Sequence, residues 1–370
     1  MTNRELLKKA KRIVIKCGTS VVTNERGRLD REQLARLAQE IAEALKEGRD
    51  CLLVTSGAIA AGVEKLGLKS RPSSIPELQA AASVGQGLLM SEYAHFFGRQ
   101  GVVVGQVLLT QNDFIYRENY VNARNTLSRL LDLKVLPIIN ENDATAVEEI
   151  RFGDNDFLAA LVACGVEADA LVFLTDTEGF LKEGRLISEV SEISEDLEKW
   201  AGGAGTPFGS GGMVTKLQAA KVATAAGISM VIAHGKKEGT IAQVLSGEEV
   251  GTLFLPQKKR LSSWKHWIAY ILPSKGRIKV DDGAKRALIE GKKSLLPVGV
   301  VSSEGGFEIG DAVDLVDQQG RVFAKGITSF SQREVEKVKG KRTCDLSEIF
   351  PGGFCEEVIH RDALVVLEKK

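Results

Sequence analysis

CLLVTSGAIAAG, residues 51–62, runs from four apolar residues through a Thr-Ser-Gly-Ala turn into a stretch of small helix formers. A short apolar run stopped by a turn reads as a buried strand, and the alanine-rich continuation reads as a helix. Upstream, RIVIK (12–16) is a second such strand, ending on Lys16 and followed by Cys17, Gly18, Thr19 and Ser20. Between the two, Asp30 caps a helix whose Leu34, Leu37, Ile41 and Leu45 share one face and which Gly48 closes. Downstream, Pro76 sits where a first-turn proline belongs, ahead of a long helical segment. Strands follow at 102–109, 134–140, 170–176 and 229–234, with helical patterns at 121–133, 155–167 and 213–226 between them. Repeated alternation of this kind predicts an α/β fold, an open and mostly parallel sheet sandwiched by helices.

The texture changes near Leu255. Residues 256–275 form a Pro- and Lys-bounded bridge holding Trp264 and Trp267. From Gly276 the chain breaks into short strand-like pieces separated by glycine turns, with one helical pattern at 283–292. The expected organisation is an α/β domain over 1–258, a linker over 259–275, and a small mostly-β domain, barrel or sandwich, over 276–370. A chain of 370 residues exceeds what a single core usually serves, in keeping with two domains.

Composition excludes several classes. The chain has 49 Lys+Arg against 49 Asp+Glu, so no net charge draws it to nucleic acid or a membrane surface. No signal-like or membrane-spanning apolar run is present, and five widely spaced cysteines fit neither a disulfide framework nor a zinc cluster. A cytoplasmic protein with reduced thiols is expected.

Candidate chemistry gathers where strands end. Lys16, ending a strand before a Gly-Thr-Ser turn, can aim an ammonium at a phosphate. The turn Ser56-Gly57-Ala58 opens a helix, whose free N–H groups favour an anion. Residues 140–156 hold Asn140, Glu141, Asn142, Asp143, Asp154, Asn155 and Asp156. Such short acids and amides suit a ligand with both an amine and a carboxylate. A glycine-rich loop at 205–212 runs into a helix carrying Lys216, and LTDTEG (174–179) offers Thr175 and Asp176 at another strand end. No Walker A pattern occurs, which disfavours a P-loop enzyme.

Read in chain order, KCGTS, VTSGAIAAG, NENDATAVEEIRFGDND, LTDTEG and GSGGMVTKLQAA resemble the amino-acid kinase family, and the NEND…FGDND pair with GGMVTK resembles its glutamate 5-kinase branch. The tail, with GRIKVDDGAKRALIEGKKSLLPVGV and RVFAKGI, is similar to the PUA domain appended to bacterial members. The resemblance implies an enzyme that uses Mg–ATP to phosphorylate the side-chain carboxylate of L-glutamate, a first step of proline biosynthesis. It assigns Lys16 and Lys216 to the ATP phosphates and Asp156 to holding both lysines. It places Ser56, Asp143 and Asn155 on glutamate beside Gly57 and Ala58. Thr175, Asp176 and the run Ser210, Gly211, Gly212, Met213, Val214, Thr215 and Lys216 would line the nucleotide. Magnesium would ride on the phosphates, with no protein metal site. A dimer or tetramer, inhibition by proline and hand-off to a glutamyl-phosphate reductase are further implications.

The chemistry of the residues agrees. A side-chain carboxylate with a pKa of about 4.3 is ionised at neutral pH and needs no general base. What it needs is charge neutralisation and alignment against a polyanion, which lysines and backbone N–H groups supply. Among rivals of the same fold, a nucleoside-monophosphate kinase would want basic residues where 140–156 is acidic and amidic. N-Acetylglutamate has no amine for Asp143. Aspartate is separated only by the resemblance. An RNA-binding role for the tail is disfavoured, because residues 276–370 balance their charges and the one basic run, KVKGKR (337–342), reads as a solvated loop. Cys17, beside Lys16, is expected to be a small buried side chain pointing away from it.

Overall fold

The computed structural model describes residues 3–115, 117–145, 155–201, 212–257, 265, 267–341 and 357–367. By contacts the chain divides into two compact units, Met1–Arg260 and Leu261–Lys370. The strands of the first unit are β1 (Arg12–Cys17), β2 (Asp50–Thr55), β3 (Val104–Leu109), β4 (Leu136–Glu141), β5 (Ala170–Thr175), β6 (Leu181–Lys182), β7 (Arg185–Leu186), β8 (Glu189–Val190), β9 (Ser229–His234) and β10 (Thr252–Phe254). Its helices are α1 (Glu5–Lys9), α2 (Thr19–Val22), α3 (Arg31–Lys46), α4 (Ala58–Lys65), α5 (Ile75–Arg99), α6 (Asn112–Ile115), α7 (Arg117–Asp132), α8 (Asn155–Gly165), α9 (Glu195–Ala201), α10 (Met213–Ala225) and α11 (Thr240–Ser246).

Eight strands form one sheet in the order β3-β4-β2-β1-β5-β9-β10-β8, and the short β6–β7 hairpin stands apart. Pairing is parallel from β3 through β9, and β10 runs antiparallel to β9. The apolar runs become strands because both faces of the sheet are covered. Ile13, Ile15 and Cys17 enter a core shared with α3, α4, α5 and α11. Val14 and Lys16, at the alternate positions, face the layer of α8 and α10. As expected, Asp30 caps α3, its carboxylate accepting from Gln33 N, and Pro76 lies in the first turn of α5.

This topology fixes where a ligand sits. From β1 the chain builds the sheet toward β2, β4 and β3, then crosses back to place β5 and β9 on the other side of β1. Strand order therefore reverses between β1 and β5, and the crevice beyond their carboxyl ends is the natural binding position in an open parallel sheet.

The second unit holds a five-stranded mixed sheet, β12-β11-β13-β14-β15, from β11 (Gly276–Val280), β12 (Val300–Gly305), β13 (Ala312–Val316), β14 (Val322–Ile327) and β15 (Leu364–Val366). Helices Asp282–Ile289 and Gln332–Val338 accompany it, over a core that includes Ile278, Phe307, Leu315 and Phe323. Two readings need correction. Lys337 and Val338 end a helix rather than lie in a loop, and Val338 is buried because that helix packs on β12. Within the stretch read as a linker, Trp267–Ile271 is a π-helical turn against β14, with Ile268 fully buried and the Lys325 ammonium donating to the Leu272 carbonyl. Among the described residues no helix is long and apolar enough to cross a membrane.

Candidate active site

Three charged side chains from three elements meet at the reversal point. Lys16 ends β1, Asp156 lies in the first turn of α8, and Lys216 lies one turn into α10. The Asp156 carboxylate has no exposed surface; Oδ1 accepts from Lys16 Nζ, and Oδ2 pairs with Lys216 Nζ at 3.2 Å. Thr215 Oγ1 donates to the same Oδ2 at 2.8 Å. Burial alone would push this carboxyl up, but Lys16 and Lys216, with the hydrogen bonds from Lys16 and Thr215, hold it below the ordinary range. Two cations thus face one anion, and both carboxylate oxygens are taken.

The surroundings keep Lys16 in place. It is 5% exposed, and its Nζ lies 5.7 Å from the centroid of the Phe173 ring on neighbouring β5. The next residue along the chain behaves differently. Cys17 is fully buried on the opposite face of β1, where burial pushes its thiol up to about 12. It is a packing residue, as expected.

Beside the charged cluster, toward β2 and β4, lies a network of amides. Asn155 Nδ2 donates to Thr55 O (2.9 Å), Ser56 Oγ (2.9 Å) and Asn140 Oδ1 (3.0 Å). The turn at Gly57 has φ 115°, a conformation that glycine adopts without strain, and it delivers Ala58 to the start of α4. Asp143 follows β4 in the turn closed by Thr145 N to Asn142 O; burial pushes its carboxyl up to about 6, against a counter-pull from Arg71. Asn155 is 8% exposed, yet among the described residues its Oδ1 has no hydrogen-bond partner. An unmet buried acceptor costs about 1–3 kcal/mol, a cost that a donating ligand would remove.

On the other side of β1, Thr175 ends β5 with its hydroxyl donating to Asp176 Oδ1 at 3.0 Å. The Thr177 hydroxyl just beyond is buried without a partner among the described residues. Gly212, Met213, Val214, Thr215 and Lys216 form the start of α10, whose free N–H groups favour an anion. Ser210 and Gly211, and the rest of the glycine-rich loop, lie outside the described residues, as does Asp154. The structure therefore brings Lys16, Asp156, Thr215 and Lys216 together, and separately Ser56 with Asn155. Sequence reading missed the support behind the second group: Gln86 and Tyr93 of α5. Tyr93 OH shares a 2.7 Å hydrogen bond with Thr55 Oγ1, and Gln86 Oε1 accepts from Asn140 Nδ2 at 2.8 Å. Neither stands in a local motif, and an isolated polar residue in a helix gives no sign of what it will meet.

These features, a parallel sheet reversing beside paired lysines on a buried carboxylate, define a phosphoryl-transfer fold without a P-loop. Residues 11–234 match the amino acid kinase family and residues 276–350 match the PUA domain. The chain belongs to the amino acid kinase family, in its PUA-bearing glutamate 5-kinase branch. It is 49% identical over 365 residues to the glutamate 5-kinase of Caldanaerobacter subterraneus subsp. tengcongensis, covering 97% of this chain and 98% of that one. It is 47% identical over 377 residues to the glutamate 5-kinase of Moorella thermoacetica, covering 99% and 100%. To that of Geobacter metallireducens it is 46% identical over 369 residues, covering 98% and 99%.

Proposed function

We propose that this chain phosphorylates the side-chain carboxylate of L-glutamate with ATP to give L-glutamyl 5-phosphate, the first step of proline biosynthesis. The observation that carries the reading is the sharing of buried Asp156 by Lys16 and Lys216 at the strand-order reversal. When bound, Mg–ATP supplies the phosphoryl group and part of the charge neutralisation. Magnesium would ride on the nucleotide phosphates, since both oxygens of Asp156 are committed to lysines and Thr215. Lys16 and Lys216 would hold phosphate oxygens through transfer, joined by the N–H groups at the start of α10. Asp156 fixes the two ammonium groups before substrate arrives, so little reorganisation remains at the moment of reaction. Thr175 and Asp176 would take the nucleotide, with Ser210 to Lys216 around its phosphates.

Glutamate would lie on the β2–β4 side. Asp143 would pair with its ammonium, and Ser56 and Asn155 with its polar head, beside Gly57 and Ala58. The side-chain carboxylate is already ionised at neutral pH, so transfer forms one O–P bond and breaks another without moving a proton. No general base is required, and the amide and carboxylate groups serve to align. On the resemblance we further propose a dimer or tetramer in the cytoplasm, inhibition by proline and delivery of the labile product to a reductase. We assign catalysis to residues 1–258 and regulation or packing, rather than RNA binding, to 276–370.

Hydroxylamine traps an acyl phosphate as a hydroxamate. With Mg–ATP and L-glutamate, L-aspartate or N-acetyl-L-glutamate in parallel, hydroxamate is expected from L-glutamate. Preference for either of the others would discard the substrate assignment while keeping the fold.

A further inference from the structure

We propose that Gln86 of α5 is a substrate-binding residue, its side-chain N–H receiving the α-carboxylate of the amino acid while Asn155 Oδ1 accepts from the α-ammonium. The inference rests on the proposed reaction and adds to it the group that reads the α-carboxylate.

Backbone groups fix the direction of Asn140 and Asn155, and Asn140 in turn fixes that of Gln86. Glu141 N donates to Asn140 Oδ1 at 2.9 Å, so the other end of Asn140 is its Nδ2. That Nδ2 meets Gln86 at 2.8 Å, and only the carbonyl end of Gln86 can accept there. The Nε2 of Gln86 is thereby turned away, and it is buried with no hydrogen-bond partner among the described residues. Asn155 is fixed in the same way, since its Nδ2 donates to the Thr55 carbonyl at 2.9 Å, leaving Oδ1 unpartnered. On either side of Asn140 there is thus one spare donor and one spare acceptor. An α-amino acid presents the complementary pair, a carboxylate that accepts and an ammonium that donates.

The packing of α5 brings the backbone next to Gln86 against α4, a second observation beside the amide network. A Cβ on Gly85 would lie 1.8 Å from the Ala58 carbonyl and 2.4 Å from Gly62 N. The backbone preceding Gln86 therefore touches the first turn of α4, which the Ser56–Gly57–Ala58 turn opens. Ser56 Oγ is in turn bonded to Asn155 at 2.9 Å. Gln86, Asn155 and the turn thus belong to one contiguous patch.

Q86E separates the two jobs of this side chain. It keeps an oxygen for Asn140 and removes only the N–H donor, replacing it with a negative charge. With L-glutamate, KM is expected to rise tenfold or more while KM for ATP stays unchanged. L-Glutamic acid α-amide carries a neutral group at the position in question, and its amide can donate to the variant carboxylate. The ratio of kcat/KM for L-glutamate over the α-amide is therefore expected to fall at least tenfold, about 1.4 kcal/mol. If the two substrates lose equally, or KM for L-glutamate does not move, Gln86 is structural or serves a buried water, and the inference is overturned. Should Q86E not fold, Q86M is read by the same ratio. Wild-type protein that makes no hydroxamate from L-glutamate would sink the proposed function itself, whereas an active wild type with an unshifted ratio sinks only the role of Gln86.

Discussion

Asp156 has no contact with solvent and accepts from three donors, so its removal does more than delete one charge. D156N leaves two ammonium groups facing a neutral amide in a buried space, and loss of one partner from a buried pair costs about 3–5 kcal/mol. The expected result is a lower melting temperature together with a kcat reduced on the order of 10²-fold or more. K216A keeps the Lys16–Asp156 pair; its kcat is expected to fall on the order of 10²-fold or more, with KM for glutamate little changed. Near-wild-type turnover by K216A would refute the assignment of this lysine to the transferring phosphate. Asp143 gives a pH signature. With its carboxyl raised by burial to about 6, it is anionic above that pH and neutral below it. An ammonium binds the anion, so KM for glutamate should climb as pH falls through about 6 and level off above about 7. D143N should show a high KM that is flat over the same range. A wild-type profile flat from pH 5 to 8 would remove Asp143 from the ammonium.

At the scale of elements, the α4–α5 crossing has little tolerance. Cβ atoms at Gly62 and Gly85 would each come within 1.8 Å of a backbone oxygen, that of Ala81 and Ala58 respectively. The two helices therefore approach backbone to backbone, which glycine alone permits. G85A must push α5 away from α4, and overpacking of this kind costs about 1–3 kcal/mol. Because the same helix sets Tyr93 against Thr55 and Gln86 against Asn140, the expected outcome couples a lower melting temperature to a raised KM for glutamate. A destabilised G85A with wild-type kinetics would show that the crossing supports the fold but not the site. Elsewhere, element types were open to reading because their causes are local. Asp30 caps α3 by a bond three residues away, and Pro76 belongs in a helix's first turn. The antiparallel β10, the helix Gln332–Val338 and the π-helical turn Trp267–Ile271 were missed. Short segments carry too few residues for a period to register, and their state is decided by what they pack on.

Among the described residues, one buried cluster runs from Leu7 to Leu253 within the first unit, and another from Ile278 to Leu364 within the second. Units with their own cores are candidates for independent folding. Residues 1–260 expressed alone are expected to fold and to form hydroxamate from L-glutamate; an unfolded or inactive product would make the second unit part of the catalytic machinery. At this scale the sequence by itself determined the two-domain plan, the α/β class and the strand ends where basic and polar residues gather. These follow from apolar runs, turn residues and charge, which neighbours along the chain specify, whereas the joint role of Lys16, Lys216 and Asp156 was implied only by the family resemblance. The tertiary structure supplied the geometry by which Lys16 and Lys216 meet at Asp156, 140 residues beyond Lys16, and by which Cys17 enters the core on the opposite face of β1. It alone brought Gln86 beside Asn140 and, among the described residues, left Gln86 Nε2 and Asn155 Oδ1 unmet. The physical reason is that strand alternation and helix crossing set which side chains share a space, and contacts between residues so far apart in the chain leave no periodic trace in it.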